Sequence, residues 1–220
     1  MIFGKIEYLN LLPFHVFMKR FTRSAQESAV MNYKKNVPAK INREFLGRRV
    51  DAAFISSITA KKYPHVNLGI IAKKEVKSVL VIPSRKDKQD SASASSNILA
   101  KVLQQNGEIL IGDKALRYAL KNSDYIDLAA LWHKKYRLPF VFALLCYHKE
   151  KRVYKKIEKK FLQKEQKIPY YMLQNAAKRT GVSPEDIRAY LRLISYELDY
   201  KAKKGLAKFY RLSDRLNAGV

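Results

Sequence analysis

The chain has 220 residues, 47 % of them apolar, which is enough for a hydrophobic core and too many for a disordered chain. Forty-four Lys and Arg against 19 Asp and Glu leave a formal charge of +25, which points to an anionic partner: nucleic acid, membrane headgroups or an acidic metabolite. The lone Cys146 excludes a disulfide framework, and His15, His65, His133 and His148 show no metal-ligand spacing.

From Ile2 to Tyr8, Ile2, Gly4, Ile6 and Tyr8 share one face and Lys5 and Glu7 the other, the period of a strand. Those charges stand where a secretory signal would have an unbroken apolar block, so a cytoplasmic protein is expected. Leu9 to Pro13 reads as a turn and Phe14 to Phe21 as a helix; a second strand is expected over 30–36. Pro38 then opens a helix with Ile41 and Phe45 on one face and Gly47 at its end. Val50 to Ile55 reads as a buried strand that stops at Ser56-Ser57, and this strand and helix alternation predicts a parallel sheet of βαβ units.

Val76 to Pro83 is a further predicted strand, followed by a polar, serine-rich stretch over 84–97. Ile98, Leu99, Val102 and Leu103 form a helical stripe behind serines suited to capping it. Ile109 to Ile111 reads as a short strand, Gly112-Asp113 as a tight turn, and Ala115, Leu116, Ala119 and Leu120 as the next helix. The return strand is placed at Pro139 to Leu145. The apolar run around it, Leu138 to Tyr147, is about half the length a bilayer-spanning helix needs, so no membrane span is expected.

Strands 76–83 and 139–145 bracket a small lobe, which gives a division into a large lobe, 1–78 plus 146–220, and a small α/β lobe, 79–145. A chain that crosses twice between lobes has a cleft and a two-strand hinge. From Lys149 onward the pattern is helical, with 19 basic and 8 acidic side chains; the preceding residues still hold +14, so the charge is not confined to one basic arm.

Tyr8-Leu9-Asn10, Ile55-Ser56-Ser57, Ser91 to Asn97 and Ile111-Gly112-Asp113 all stand where strands hand over to loops or helices. In open α/β sheets ligands bind at such strand ends, because the loops diverge there and helix N-termini point free N–H groups into the crevice. Each serine has an alternative reading as an N-cap, Asn10 as an Asx turn, and Asp113 as a helix cap. Ser78 shares its strand face with Val76, Leu80 and Ile82 by parity, so its hydroxyl needs a partner or a cleft. His15 on an amphipathic helix reads as structural, with a general base as the alternative. No P-loop, dinucleotide fingerprint, nucleophile elbow or H-E-x-x-H motif occurs, and no cofactor or metal is expected.

Asn175 to Tyr190, with Gly181 at a turn and Ser183 before a second helix, has the pattern of a helix-turn-helix. Glu185 and Asp186 at the start of the would-be recognition helix would face phosphates, which favours a plain antiparallel helix pair and no nucleic-acid partner.

Gly4-Lys5-Ile6-Glu7-Tyr8-Leu9-Asn10-Leu11-Leu12-Pro13, Ile55-Ser56-Ser57, Val76-Lys77-Ser78-Val79-Leu80, Ser93-Ala94-Ser95-Ser96-Asn97, Ile111-Gly112-Asp113-Lys114-Ala115-Leu116, and Asp127-Leu128-Ala129-Ala130-Leu131-Trp132 followed by Leu138 to Ala143 occur in that order. In these motifs the chain resembles the chorismate dehydratases of the futalosine route to menaquinone; the helical tail agrees in character. The resemblance implies a two-lobed fold like the type II periplasmic binding proteins, used as a cofactor-free lyase. Chorismate would lose its C3 proton and C4 hydroxyl to give 3-[(1-carboxyvinyl)oxy]benzoate. By the same resemblance Asn10 and Ser78 are the polar residues nearest the reacting ring. Ser56, Ser57, Ser95 and Ser96 are implied as carboxylate-binding groups, with Gly112 and Asp113 on the substrate side. The substrate's own enolpyruvyl carboxylate would take the proton.

Two departures from the family pattern stand out. The small lobe is trimmed around 85–90 and 104–108, and the usual Thr-Gly before Leu-Pro is Tyr136-Arg137. The alternatives are the 1,4-dihydroxy-6-naphthoate synthase of the same fold, whose Ser-Pro-Cys motif after the first strand is absent here, a solute-binding protein for a small carboxylate, and a DNA-binding protein using the tail. Oligomeric state is not legible in the sequence.

Overall fold

A computed structural model describes residues 1–22 and 31–218. Strand β1 (Ile2–Lys5) runs through a 3-10 turn (Leu9–Leu11) into α1 (Leu12–Phe21), and β2 (Asn32–Lys35) leads to α2 (Pro38–Leu46). Of the second predicted strand, Val30 lies outside the described residues. Pro38 occupies the first turn of α2, where its missing N–H costs no hydrogen bond, and Ile41 and Phe45 are buried beneath it. Gly47 follows the helix as expected, but Arg48, with φ 54°, is the residue in the left-handed region.

Next come β3 (Ala52–Ser56), the single turn α3 (Ser57–Ala60) and β4 (His65–Ala72). Strand β5 (Val79–Ile82), α4 (Ala94–Val102), β6 (Glu108–Ile111), α5 (Gly112–Ala119), β7 (Ile126–Asp127) and α6 (Leu128–Tyr136) follow, and β8 (Phe140–Tyr147) returns. The C-terminal region holds α7 (Lys151–Leu162), α8 (Tyr170–Thr180), α9 (Pro184–Leu191), β9 (Ile194–Glu197) and α10 (Tyr200–Asn217).

These strands form two sheets. Six align as β2-β1-β3-β8-β4-β9 and three as β6-β5-β7. The predicted βαβ start is present: β1 pairs parallel with both β2 and β3. The rest of the large sheet is antiparallel, because β8 inserts between β3 and β4 and pairs antiparallel with each.

Two expectations about the crossings change. The strand expected over 76–83 begins only at Val79: Lys77 has φ 56°, and the backbone N–H groups of Val76 and Lys77 both turn to the Asp127 carboxylate, at 2.9 and 2.7 Å. The same carboxylate caps α6 through Ala129 and Ala130 N–H. The return strand, placed with the small lobe by the 79–145 boundary, instead pairs along its length with the large sheet. The chain therefore passes between sheets through bent segments at 73–78 and 137–139, and not through strands shared by both.

Strands β4 and β9 were not anticipated. Strand β4 is a central member of the large sheet, and β9 adds to its edge from within the helical tail. The tail spans both halves: α7 packs on β4, while α10 packs on β8 and also on α4. Where α10 meets the second crossing, Gly205 lies against the Pro139 carbonyl with no room for a Cβ. Among the described residues no helix is long and apolar enough to cross a membrane.

Candidate functional site

A cleft between the two sheets, open to solvent, holds about 650 Å³ of atom-free space. Its wall includes Phe54, Ser56, Ile70, Phe142 and Ala143 from the large sheet, Val79 and Ile111 from the small one, Ser93 and Ser96 from the start of α4, and Gly112 from the start of α5. Ile6, Tyr8, Asn10 and Leu11, at the end of β1, close one side, and Val76 and Ser78 of the first crossing lie at the junction.

Five of the eight residues expected at a site therefore meet at one cleft: Asn10, Ser56, Ser78, Ser96 and Gly112. Each reaches it for a local reason. Ser56 ends β3, and its backbone N–H is held by Asn42 Oδ1 at 3.2 Å. Ser96 lies in the first turn of α4, where Ser93 caps the helix by accepting from Ser96 N–H. Gly112 turns β6 into α5 with φ 63°, and a side chain there would strike the Tyr8 ring; only glycine meets both demands. Its N–H donates to Ser78 C=O at 2.8 Å.

Ser57, Ser95 and Asp113 do not line the cleft. Ser95 Oγ lies 2.6 Å from Ser56 Oγ and 2.9 Å from Ser57 Oγ, and it accepts from Ile58 N–H. Ser57 and Ser95 have no exposed surface. These two of the four hydroxyls implied as carboxylate ligands are thus buried in a serine cluster joining α3 to the start of α4, away from the cleft. Asp113 faces away from the cleft, accepting from Leu9 N–H at 3.0 Å and pairing with Arg179 at 3.1 Å. Burial raises its pKa, and these two partners act in the opposite sense.

Histidine 15 is structural: Nε2–H donates to Ile6 C=O at 2.8 Å, and burial lowers its pKa to about 4. The helix-turn-helix pattern resolves as α8, Gly181 with φ 68° and α9 capped by Ser183. In its second helix Ile187 and Tyr190 are buried, and the helix packs on the turn that carries Asn10.

Sequence reasoning missed the tail's share of the site. Tyr190 Oη donates to Ser78 Oγ at 2.9 Å, and Tyr196 Oη donates to Asn10 C=O at 2.7 Å. Two tyrosines within a run read as helical carried no signal of a ligand site. Tyr8, part of a quoted motif but not singled out for a role, and Asn42, outside the motifs, also line the cleft wall.

Among the described residues the cleft wall has no Asp, Glu, His, Lys or Arg side chain. Tyr8 is its one tyrosine, and burial, reinforced by Asp90 and Asp113, pushes its phenol to about 12, so it stays neutral. Such a wall offers hydroxyl, amide and backbone N–H donors to an anion and supplies no strong base.

Residues 1–107 and 92–215 match the family described as menaquinone biosynthesis. A chorismate dehydratase of Campylobacter jejuni subsp. jejuni is 48 % identical over 99 % of both chains. Among solved structures, an Archaeoglobus fulgidus protein aligns with a TM-score of 0.69 at 12 % identity, covering 99 % of this chain and 97 % of its own. A Candida albicans gene product described as having the generic periplasmic binding protein fold aligns at 0.53 and 13 %, covering 97 % and 90 %. The periplasmic aliphatic sulphonate binding protein of Escherichia coli aligns at 0.53 and 13 %, covering 100 % and 87 %. These alignments show a mixed α/β fold of the periplasmic binding protein kind. On the full-length relative and the family match together, the chain belongs to the chorismate dehydratase family of menaquinone biosynthesis.

Proposed function

We propose that the cleft between the sheets binds chorismate and dehydrates it to 3-[(1-carboxyvinyl)oxy]benzoate and water, in the cytoplasm, on the futalosine route and without a cofactor. The observation that carries this reading is the neutral, donor-lined cleft assembled from the motifs shared with the dehydratases.

In the reaction the C3–H bond breaks and its electrons pass through the ring alkene to the ring carboxylate. The C4–O bond then breaks, hydroxide leaves as water with the proton removed from C3, and the new C3=C4 bond completes an aromatic ring. The enzyme must hold a dianion in one conformer, stabilise charge building on the ring carboxylate, and assist departure of the hydroxyl. Asn10 and Ser78 are the groups assigned to the reacting ring; Ser56 and Ser96 are assigned to the carboxylates, and Gly112 gives the substrate room beside Tyr8 while its N–H holds the Ser78 carbonyl. With no carboxylate or imidazole on the wall, the substrate's enolpyruvyl carboxylate is the base this reading uses. Aromatisation drives the reaction forward.

The test is to incubate the metal-free protein with chorismate and follow the product by mass. The expected product is lighter than chorismate by one water and aromatic in its absorption; unchanged chorismate would overturn the reading. Asn10→Ala and Ser78→Ala are each expected to lower kcat about 100-fold, the scale of a lost donor at a charge-developing oxygen. Wild-type turnover and affinity in both variants would refute the site assignment.

A further inference from the structure

Two side chains of the C-terminal region are aimed at the two residues assigned to the reacting ring. Ser78 belongs to the bent crossing between the sheets, and its hydroxyl hangs on a freely rotating bond with three staggered positions. Its backbone is fixed through its carbonyl, which accepts from Gly112 N–H at 2.8 Å. Its hydroxyl is met by Tyr190 Oη, 112 positions later in the chain and only 3 % exposed.

We propose that Tyr190 is a positioning residue that sets the Ser78 hydroxyl so that its hydrogen points into the cleft, toward the leaving hydroxyl of the substrate. This inference rests on the dehydratase reading of the cleft. A phenol is a far stronger acid than an aliphatic alcohol, so the phenol donates and the serine oxygen accepts. Ser78 Oγ has no other hydrogen-bond partner among the described residues, which leaves its own hydrogen for a ligand. A serine that accepts from a buried donor is also a better donor in turn, because hydrogen bonds in a chain polarise one another. Burial raises the Tyr190 pKa, with Asp113 and Asp127 adding to it and hydrogen bonding to Ser78 and to the Asn10 side chain opposing it, which keeps the phenol protonated at neutral pH.

A buried tyrosine needs an acceptor and usually takes a backbone carbonyl or water. Tyr190 instead takes a side chain on the cleft wall, and six residues on Tyr196 anchors the Asn10 backbone. One short segment, α9 into β9, therefore steadies Ser78 from one lobe junction and Asn10 from the end of β1.

The test is a double-mutant cycle of Tyr190→Phe and Ser78→Ala, with kcat and KM for chorismate measured in each protein and folding followed by urea unfolding. Tyr190→Phe is expected to lower kcat about tenfold, the scale of one net hydrogen bond, with KM changed less than about twofold. In the Ser78→Ala background the same change should cost less than about twofold, since its target is gone. Unchanged kcat in Tyr190→Phe, or losses that multiply in the double variant, would overturn the proposal. Ile187→Val, on the same buried face of α9, controls for loosened packing: kcat within about twofold of wild type supports the proposal, and a loss equal to that of Tyr190→Phe overturns it. A wild-type protein that leaves chorismate intact refutes the dehydratase reading itself and is distinguishable from any of these variant results.

Discussion

The large sheet draws its six strands from residues as far apart as Ile2 and Glu197, while the small sheet takes its three from one continuous stretch between Val79 and Asp127. Locality in sequence does not make the small sheet independent. Arg117 donates to Thr180 C=O, Asp113 holds Leu9 N–H and Arg179, Ser95 bonds Ser56 and Ser57, and Tyr190 reaches the adjoining Ser78. Both halves share one continuous apolar core, to which the small half contributes Val79, Val81, Leu99, Ile111, Leu116 and Trp132, and polar ties further join that half to the turn after β1, to α3 and to the tail. Such ties fix the position of the small half over the cleft.

Breaking the junction at its apolar centre should have the largest effect. Trp132 of α6 has no exposed surface, lies 5.3 Å from the Phe140 ring of the large sheet and 6.2 Å from Phe209 of α10, and donates Nε1–H to Pro139 C=O. Trp132→Ala is expected to cost about 3–5 kcal/mol in urea unfolding. The transition should remain single; a separate early transition would show that the small lobe unfolds by itself and that the ties do not couple the halves.

Acid should loosen the large half through His15. Its pKa falls from the ordinary 6.5 to about 4 through burial, with Lys5 and Arg179 adding to the effect and Ile6 C=O and Glu7 opposing it. Between those values the unfolded chain binds the proton and the folded one does not, so stability is full above about pH 6.5 and falls as pH drops toward 4, by on the order of 3 kcal/mol. Unfolding midpoints at pH 7 and pH 5 in wild type and in His15→Gln, which keeps a donor for Ile6 but cannot ionise, check this; equal pH slopes would contradict it.

A smaller effect is expected at the first crossing. Asp127 accepts four backbone N–H bonds, two from the crossing and two from the start of α6. In Asp127→Asn one side-chain oxygen remains for two sets of donors, so a loss of about 2 kcal/mol is expected, read as a lower urea midpoint. The second crossing offers the smallest effect and the opposite sign. Arg137 caps α6 in the left-handed region with φ 56°, a conformation that favours glycine. Arg137→Gly should relieve that strain and stabilise by about 0.5–1 kcal/mol, measurable as a raised melting temperature.

Strands whose apolar period and turn residues agree were legible: β1, β3, β6 and the helices opened by Pro38 and Ser93. Strand β4 went unread because its run, His65 to Ala72, mixes Asn67 and Gly69 into an apolar stretch that lacks a clean period of two. Strand β9 spans four residues between helices, too short to break a helical pattern. At the site, Asn10, Ser56, Ser78, Ser96 and Gly112 were legible because strand ends and tight turns demand particular residue types. Ser57 and Ser95 were read with them, since a serine that meets another serine looks the same in sequence as one that meets a ligand.

The sequence by itself determined the alternation of strands and helices, the turns at which a cleft could open, and the ordered motifs that mark the family, because these depend on short-range periodicity and on residues with special backbone needs. Tertiary structure alone decided that β8 crosses fully into the large sheet, that Ser57 and Ser95 are buried in a serine cluster away from the cleft, and that tyrosines of the tail hold Ser78 and Asn10. Each of those is a pairing across dozens of residues, and hydrogen-bonding capacity written in a sequence does not say which distant partner will satisfy it.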